Sequence, residues 1–307
     1  MIKQHNLQNT DIQGTGKDGR VMKEDVQRHV SGIERSAAPR PPVSVEPLTN
    51  IQEKSEDQII ALSPIQHSMF QAMSRSLNIP HFLYSHSVDV TLLNSLRKKL
   101  MSSEIAPTFL PGFGFDNSQT SLTTLPFIVK ALSHAFHEYP LLNSHLDVDT
   151  DPSKPKLIMK ASHNFGIAVD TPQGLLVPVL RNVQDRSIIA IAAELQRLSA
   201  AARNGQLSPN DFGGATFTIS NMGSIGGGVL NPVIVPPMVA ILGIGRAETT
   251  PAFEKDHLGK ERIVKKERTV LSWAGDHRVL DGATMAKCAR MVETILHNID
   301  CIVASLK

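Results

Sequence analysis

No sign of charge dominates this chain. Its 31 basic and 29 acidic residues leave a net charge of +2, spread along the sequence. Neither nucleic acid nor an anionic membrane therefore finds the electrostatic footprint it needs. No apolar run approaches the ~20 residues that span a bilayer. The N-terminal "MIKQHNLQNTD" has neither the apolar core of a signal peptide nor an Arg/Ser-rich transit pattern. Cysteine is nearly missing: Cys288 and Cys301 make no C-x-x-C pair, which suits a reducing compartment and packed, unpaired thiols and argues against a catalytic thiol. What the chain does have is bulk, 307 residues of which 41% are hydrophobic, enough for one large domain with a sizeable core and a small one beside it.

The sequence changes character between residues 32 and 60. "AAPRPPVSVEPLTNIQEKSEDQ" carries four prolines and no apolar periodicity, the composition of a linker. Extended like polyproline, it would reach on the order of 80 to 90 Å at ~3.1 Å per residue. The module before it, residues 1–31, is too small for much of a core of its own. There "GTGKDGRVMKEDVQRHV" predicts a Gly-rich loop and a short helix, with Val21, Val26 and Val30 on an apolar face and Glu24 and Asp25 near a favourable N-terminus. Lys17, Arg20, Lys23 and Arg28 offer either a basic face to an acidic partner or an ordinary solvated surface.

Residues 61–307 alternate strand and helix signals. "LPFIVKALSHAFHEYP" predicts a helix opened by Pro126 and stopped before Pro140. "FGIAVDTPQGLLVPVL" reads as two apolar strands about an Asp-Thr-Pro-Gln-Gly turn. "SIIAIAAELQRLSAAARNG" predicts a helix capped by Ser187, with Ile188, Ala192, Leu195, Leu198 and Ala202 on one stripe and Asn204-Gly205 closing it. "ATFTIS" and "VLSWAGD" read as strands. The expected fold is a mixed α/β domain on a large sheet, with no repeat at solenoid or propeller spacing.

Chemistry concentrates after "TVLSWAG". Asp276 and His277 fall at the strand's end, Asp281 is placed to cap a helix, and Gly282 lets the backbone turn closely. Met285, Ala289, Val292, Leu296 and Ile299 follow at helical spacing. A histidine in a strand-to-helix connection is able to face a cleft, and with a reference pKa of ~6.5 it accepts a proton at neutral pH. On spacing alone a structural or solvated histidine is the commoner case. His134 and His137 stand three apart on the helix before Glu138, without the H-E-x-x-H spacing or a third ligand of a zinc site. His81, His86 and His163 read as packed or surface residues beside strands. The glycine-rich "GGATFTISNMGSIGGGVLNPVIVPP" lacks the G-K-[ST] of a phosphate loop and the third glycine of a dinucleotide fingerprint. Ser220 lies between Ile219 and Asn221, not in a G-x-S-x-G elbow, so it is a candidate hydrogen-bond donor and not a nucleophile.

Taken together, "DHRVLDGATM" with His277, Asp281 and Gly282, "GGATFTISNMGSIGG", "KASHNFGIAVDTPQGLLVPVLRNV" and "NPVIVPPMVAI" resemble the dihydrolipoamide acyltransferase core of the 2-oxo acid dehydrogenase complexes. Within that family the likeness is to the branched-chain member. It covers essentially all of 61–307, and "TGKDGRVMKEDV" resembles the peripheral subunit-binding domain that precedes the linker in the family. The resemblance implies a chloramphenicol-acetyltransferase-like α/β catalytic domain with a large mixed sheet, preceded by a small helical binding domain. It implies homotrimers assembled into a hollow cage, coenzyme A as acyl acceptor, and a lipoyl group carried on a lipoyl domain that this chain does not contain. Carried over position by position, His277 is the general base, Ser220 the oxyanion donor and Asp281 the residue that holds the catalytic loop, while Arg97, Thr123, Asp170, Ser220, Asn221 and Gly245 contact coenzyme A. His277 of one subunit faces Ser220 of its neighbour across the trimer interface. Residues 1–31 dock the decarboxylase-dehydrogenase component or dihydrolipoamide dehydrogenase, with neither nucleic acid nor membrane as partner. The compartment implied is the mitochondrial matrix, or the bacterial cytoplasm for a prokaryotic chain.

The chain departs from the family in three ways. It lacks the lipoyl domain and starts partway into the first helix of the binding module, which implies a fragment of something longer. Ser199 stands where branched-chain relatives carry Gln, a coenzyme contact in them. Met238 stands at the Glu of their "PPEVAI" run. Two rival readings accompany this one: an acetyl- or succinyl-transferring relative, and a non-catalytic scaffold that keeps the fold and recruits partners through residues 1–31.

Overall fold

The computed structural model describes residues 20–27, 57–102 and 122–299. The chain divides into two compact units, Met1–Ile60 and Ala61–Lys307. In the first, residues 23–27 are helical, and the Asp25 carboxylate accepts from the Met22 N–H at 2.9 Å, with Val26 buried. Residues 32–56 of the proposed linker, Val30 and Arg28 lie outside the described residues, as do Lys17 and Cys301.

The second unit is built on one eight-stranded mixed sheet. Its path runs β1 (His81–Asp89), β10 (Glu261–Asp276), β8 (Ala240–Ile244), β7 (Phe217–Asn221), β4 (Phe165–Thr171) and β5 (Gly174–Leu176), with β6 (Val179–Leu180) also on β4 and β9 (Glu248–Lys255) also on β10. Strands β4, β7 and β8 are parallel to one another and the remaining pairs are antiparallel. A separate hairpin pairs β2 (Ser144–Asp147) with β3 (Lys156–Met159). The helices are α1 (Pro64–Ser76), α2 (Thr91–Leu100), α3 (Leu125–Glu138), α4 (Ile188–Arg203) and α5 (Gly282–His297).

The expected helices form for the expected reasons. Ser187 caps α4 by accepting from the Ala190 N–H at 3.1 Å, and Asn204-Gly205 ends it, Gly205 at φ +67°. Ile191, Ala192, Leu198 and Ala202 are its buried positions, so Ile191 joins the stripe that the spacing outlines. The two antiparallel strands about Pro172-Gln173 are present as β4 and β5. Strand β10 is far longer than "VLSWAGD": its first half, polar and exposed, pairs with β9 as a hairpin, and only its second half enters the sheet interior. The amphipathic α1 and α2 are elements that the sequence reading passed over.

Side chains alternate across the sheet with period two, and the register shows what each face holds. One cross-sheet row, Ile167, Ile219, Leu242, Trp273 and Tyr84, turns toward α3, α4 and α5. Phe136 of α3 meets Phe165 and Phe217 edge-on at 5.7 and 5.0 Å; truncating such a fully buried ring to Ala typically costs about 3–5 kcal/mol. Cys288 lies within this core, where burial pushes its thiol up to about 12. The opposite face carries a smaller cluster, Ile79, Ile234, Ile241 and Ala274, beneath the glycine- and proline-rich segment 222–238.

Candidate functional site

His277 sits one residue past β10. Its N–H donates to the Pro80 carbonyl at 3.0 Å, and its ring rests on Phe82 with centroids 5.1 Å apart. The residues on either side are locked to each other. Asp276 is 1% exposed and takes Arg278 Nε and Nη2 at 2.9 and 2.6 Å, as well as the Arg278 N–H at 3.0 Å. The Asp276 carbonyl then accepts from Val279 and Leu280 N–H, closing a tight turn. A bidentate guanidinium–carboxylate pair fixes geometry as well as charge, so His277 is displayed from a stiff loop with its ring exposed.

Asp281 begins the helix that ends this turn. Its carboxylate accepts from the Thr284 N–H at 2.8 Å and the Thr284 hydroxyl at 2.9 Å, which is the N-cap that its position predicts. Those bonds, the backbone one foremost, hold the carboxyl below its ordinary value. The expected close approach at Gly282 falls elsewhere. A Cβ at Gly282 would make only ordinary contacts with Phe82, whereas one at Gly275 would stand 2.7 Å from Met285 Cε. Gly275 is the tighter of the two, packed against the Met285, Phe82 and Leu280 side chains.

Ser220 occupies the sheet face opposite the helices, half-buried, in a row of small residues: Ala168, Ser220, Gly243, Ser272 and Ser85. Two of these are engaged, the Ser85 hydroxyl donating to Ser272 Oγ, which also accepts from the Leu230 N–H. From this register the separation of Ser220 and His277 follows. Two strand spacings lie between Ser220 and Ser272, and five residues between Ser272 and His277, giving about 19 Å within one chain. That is far beyond hydrogen-bond reach.

Thr123, Asn221 and Gly245 come together. With Thr124, Ser224 and Thr269 they line a cavity of about 200 Å³ whose wall, among the described residues, carries no charged side chain. Gly245 is required there, because a Cβ would fall 2.2 Å from the Gly228 carbonyl oxygen. The Asn221 side-chain carbonyl accepts from the Gly223 N–H at 3.1 Å. Arg97 stands behind this wall, its Nη1 donating to the Leu122 carbonyl at 3.1 Å. Asp170 is exposed in the β4–β5 hairpin, paired with Leu175, and is not among the lining residues. Ser199 is half-buried on α4. Met238 is buried, its sulfur accepting from the Thr218 hydroxyl at 3.3 Å.

Among the described residues, His81 and His163 have structural roles. The His81 Nδ1–H donates to the Ile79 carbonyl at 2.8 Å and its Nε2 accepts from the Ile234 N–H at 2.9 Å. His163 is buried against Phe165 and bonded to Ser133 Oγ at 2.7 Å. His134 and His137 neighbour each other on α3, but among the described residues no group of three His, Cys, Asp or Glu is placed to hold a metal ion.

Residues 54–304 match the family of 2-oxoacid dehydrogenases acyltransferase catalytic domains. The chain belongs to that acyltransferase family. Residues 1–27 match the e3 binding domain. The lipoamide acyltransferase component of the branched-chain alpha-keto acid dehydrogenase complex, mitochondrial, of Caenorhabditis elegans is 39% identical, over 97% of this chain and 64% of the relative. The dihydrolipoyllysine-residue acetyltransferase component of the pyruvate dehydrogenase complex of Bacillus subtilis is 36% identical, over 94% of this chain and 62% of the relative. This acyltransferase-family chain thus spans less than two thirds of the length of these relatives. Among solved structures, the cubic core of the pyruvate dehydrogenase multienzyme complex superposes with a TM-score of 0.70 at 33% identity, covering 86% of this chain and 99% of that one.

Several parts of this candidate site were invisible in the sequence. Thr124, Ser224 and Thr269 line the cavity, and the clamp of Asp276 to Arg278 stiffens the loop, yet no spacing rule marks hydroxyls in three separate segments as neighbours.

Proposed function

We propose that residues 61–307 form an acyltransferase domain that moves a branched-chain acyl group between dihydrolipoamide and coenzyme A. The observation that carries this reading is His277, held exposed on a clamped turn at the end of β10 in a chain of this family. A coenzyme A thiol resembles a cysteine of pKa ~8.5, so its prior deprotonation by an imidazole of pKa ~6.5 is uphill by roughly 3 kcal/mol. Proton removal is therefore coupled to attack: sulfur bonds to the thioester carbon as His277 takes the proton. The tetrahedral oxyanion accepts from the Ser220 hydroxyl. Its collapse expels the dihydrolipoyl thiolate, which recovers a proton from the His277 imidazolium.

The separation of about 19 Å within one chain supports a site completed by a second copy, with His277 of one subunit facing Ser220 of the next in a trimer. The uncharged cavity at Thr123, Asn221 and Gly245 suits the neutral pantetheine arm of coenzyme A, the part that carries the thiol. In this reading residues 1–31 form a peripheral subunit-binding domain for the decarboxylase-dehydrogenase component or dihydrolipoamide dehydrogenase, residues 32–60 form the tether, and the lipoyl group arrives on a separate lipoyl domain. The compartment proposed is the mitochondrial matrix, or the cytoplasm of a bacterium. The deciding assay follows transfer from a panel of acyl-coenzyme A donors to free dihydrolipoamide. Isobutyryl and isovaleryl are expected to exceed acetyl, with acetyl transfer persisting because each methylene in an apolar pocket discriminates by only ~1–3 kcal/mol. Preference for succinyl would overturn the branched-chain reading, and the absence of any transfer would leave the scaffold.

A further inference from the structure

Thr124 holds the N-cap position of α3 and yet makes no capping bond. A threonine at a helix start ordinarily spends its hydroxyl on the helix's own N–H groups, and a departure from a local rule points to a competing requirement. Here the Thr124 hydroxyl turns to α2 and donates to Asn94 Oδ1 at 3.2 Å. Asn94 is 5% exposed, and its Nδ2 donates in turn to the Glu267 carboxylate of β10. Glu267 is itself pinned: its N–H donates to the Thr91 hydroxyl at 2.9 Å, and its carbonyl accepts from the Val90 N–H at 2.8 Å. Two residues further along β10, Thr269 lines the cavity and donates to the Gly245 carbonyl at 2.9 Å.

The chain of bonds from Thr124 through Asn94 to Glu267 therefore joins the two walls of the uncharged cavity, one at the start of α3 and the other on β10 and β8. Arg97, one turn along α2, holds the same wall segment at Leu122. We infer that Asn94 is a positioning residue for the acyl carrier, setting the distance between Thr124 and the Thr269–Gly245 wall through its link to Glu267. This rests on the reading of the cavity as the coenzyme A site. Asn94 touches no reacting group in it. Its loss should weaken coenzyme binding and leave the chemical step, which depends on His277, nearly as fast.

The test is steady-state kinetics of isobutyryl-coenzyme A with free dihydrolipoamide. Asn94→Asp keeps the acceptor for Thr124 but sets one carboxylate against another; the KM for the acyl-coenzyme A should rise on the order of tenfold with kcat within about twofold. Adding Glu267→Gln to that variant reverses the polarity of the link, the Gln Nε2–H donating to the Asp carboxylate, and should bring the KM back to within about threefold of wild type. Glu267→Ala, at a partly exposed position that tolerates truncation, should raise the KM alone in the same way. A KM unchanged in both Asn94→Asp and Glu267→Ala overturns the assignment, as does a rise that Glu267→Gln fails to reverse, or an effect confined to kcat. A wild-type chain that transfers no acyl group overturns the coenzyme reading and this inference with it, whereas an active wild type with unshifted variants overturns only the role of Asn94.

Discussion

His277 and Ser220 ask different things of their surroundings. In the proposed reaction the histidine exchanges a proton and so needs an exposed ring in one orientation, which the Asp276–Arg278 clamp and the Phe82 contact favour. His277→Ala should lower turnover by about 10²- to 10⁴-fold with assembly intact, since the ring lies outside the core; near-normal turnover in assembled protein would remove it as the base. Ser220→Ala should lower kcat by about 10²- to 10³-fold with little change in KM, as for a donor used mainly by the oxyanion. His163 behaves in the opposite way to His277. Burial first, then the neighbouring His137, lowers its pKa to about 4. The unfolded chain takes up this proton near its ordinary ~6.5, whereas the folded chain takes it up only near 4. Its contribution is complete above about pH 6.5 and is lost as pH falls toward 4. Urea midpoints should decline across that window, and His163→Gln should flatten the decline; an equally steep slope in the variant would assign the effect to another group.

At the scale of elements, α5 carries the site's alignment. Asp281 caps its first turn, four residues after the base, so fraying there moves His277. Asp281→Ala should reduce kcat by roughly ten- to a hundredfold, the penalty of a misplaced catalytic group, while Asp281→Ser, which still accepts from the Thr284 N–H, should keep most of it. Equal losses in the two variants would mean that the carboxylate itself, and not the cap, is what the site uses. The helix was legible in advance because Met285, Ala289, Val292 and Leu296 repeat at its period and every one of them is buried. The β9–β10 hairpin was not. Its half-buried positions are mostly polar, among them Thr250, Glu254 and Lys266, while Phe253 and Ile263 are exposed, and no tight-turn signature of the Asn-Gly kind joins the two strands. α2 escaped for a similar reason: it buries only Leu93 and Asn94, too little for a stripe to stand out.

At the scale of the molecule, the proposed site draws on more than one chain. Mixing unfolded His277→Ala and Ser220→Ala chains in equal amounts and reassembling them should restore activity, since about a quarter of sites would draw an intact His277 from one parent and an intact Ser220 from the other. If both residues served one chain's own site, the mixture would stay as inactive as its parents. The proposed cyclic arrangement would also account for why His277 and Ser220 stand at distant points of one chain: the interface, not the strand, would bring them within reach.

The sequence by itself determined the elements whose side chains repeat at one period and end in a recognisable cap: α3, α4 and α5, the β4–β5 hairpin, and the positions of His277 and Asp281. It also marked Thr123, Asn221 and Gly245, by likeness to a family. Local pattern suffices there because each residue answers to neighbours three or four positions away. Only the tertiary structure decided that the close side-chain packing falls at Gly275 and not at Gly282, that Thr124 gives its hydroxyl to Asn94 instead of its own helix, and that His277 lies far from Ser220 in one chain. Those outcomes depend on strand register and on contacts between segments far apart in the chain, such as Ser85 and Ser272, 187 residues apart. No periodicity within a segment encodes them.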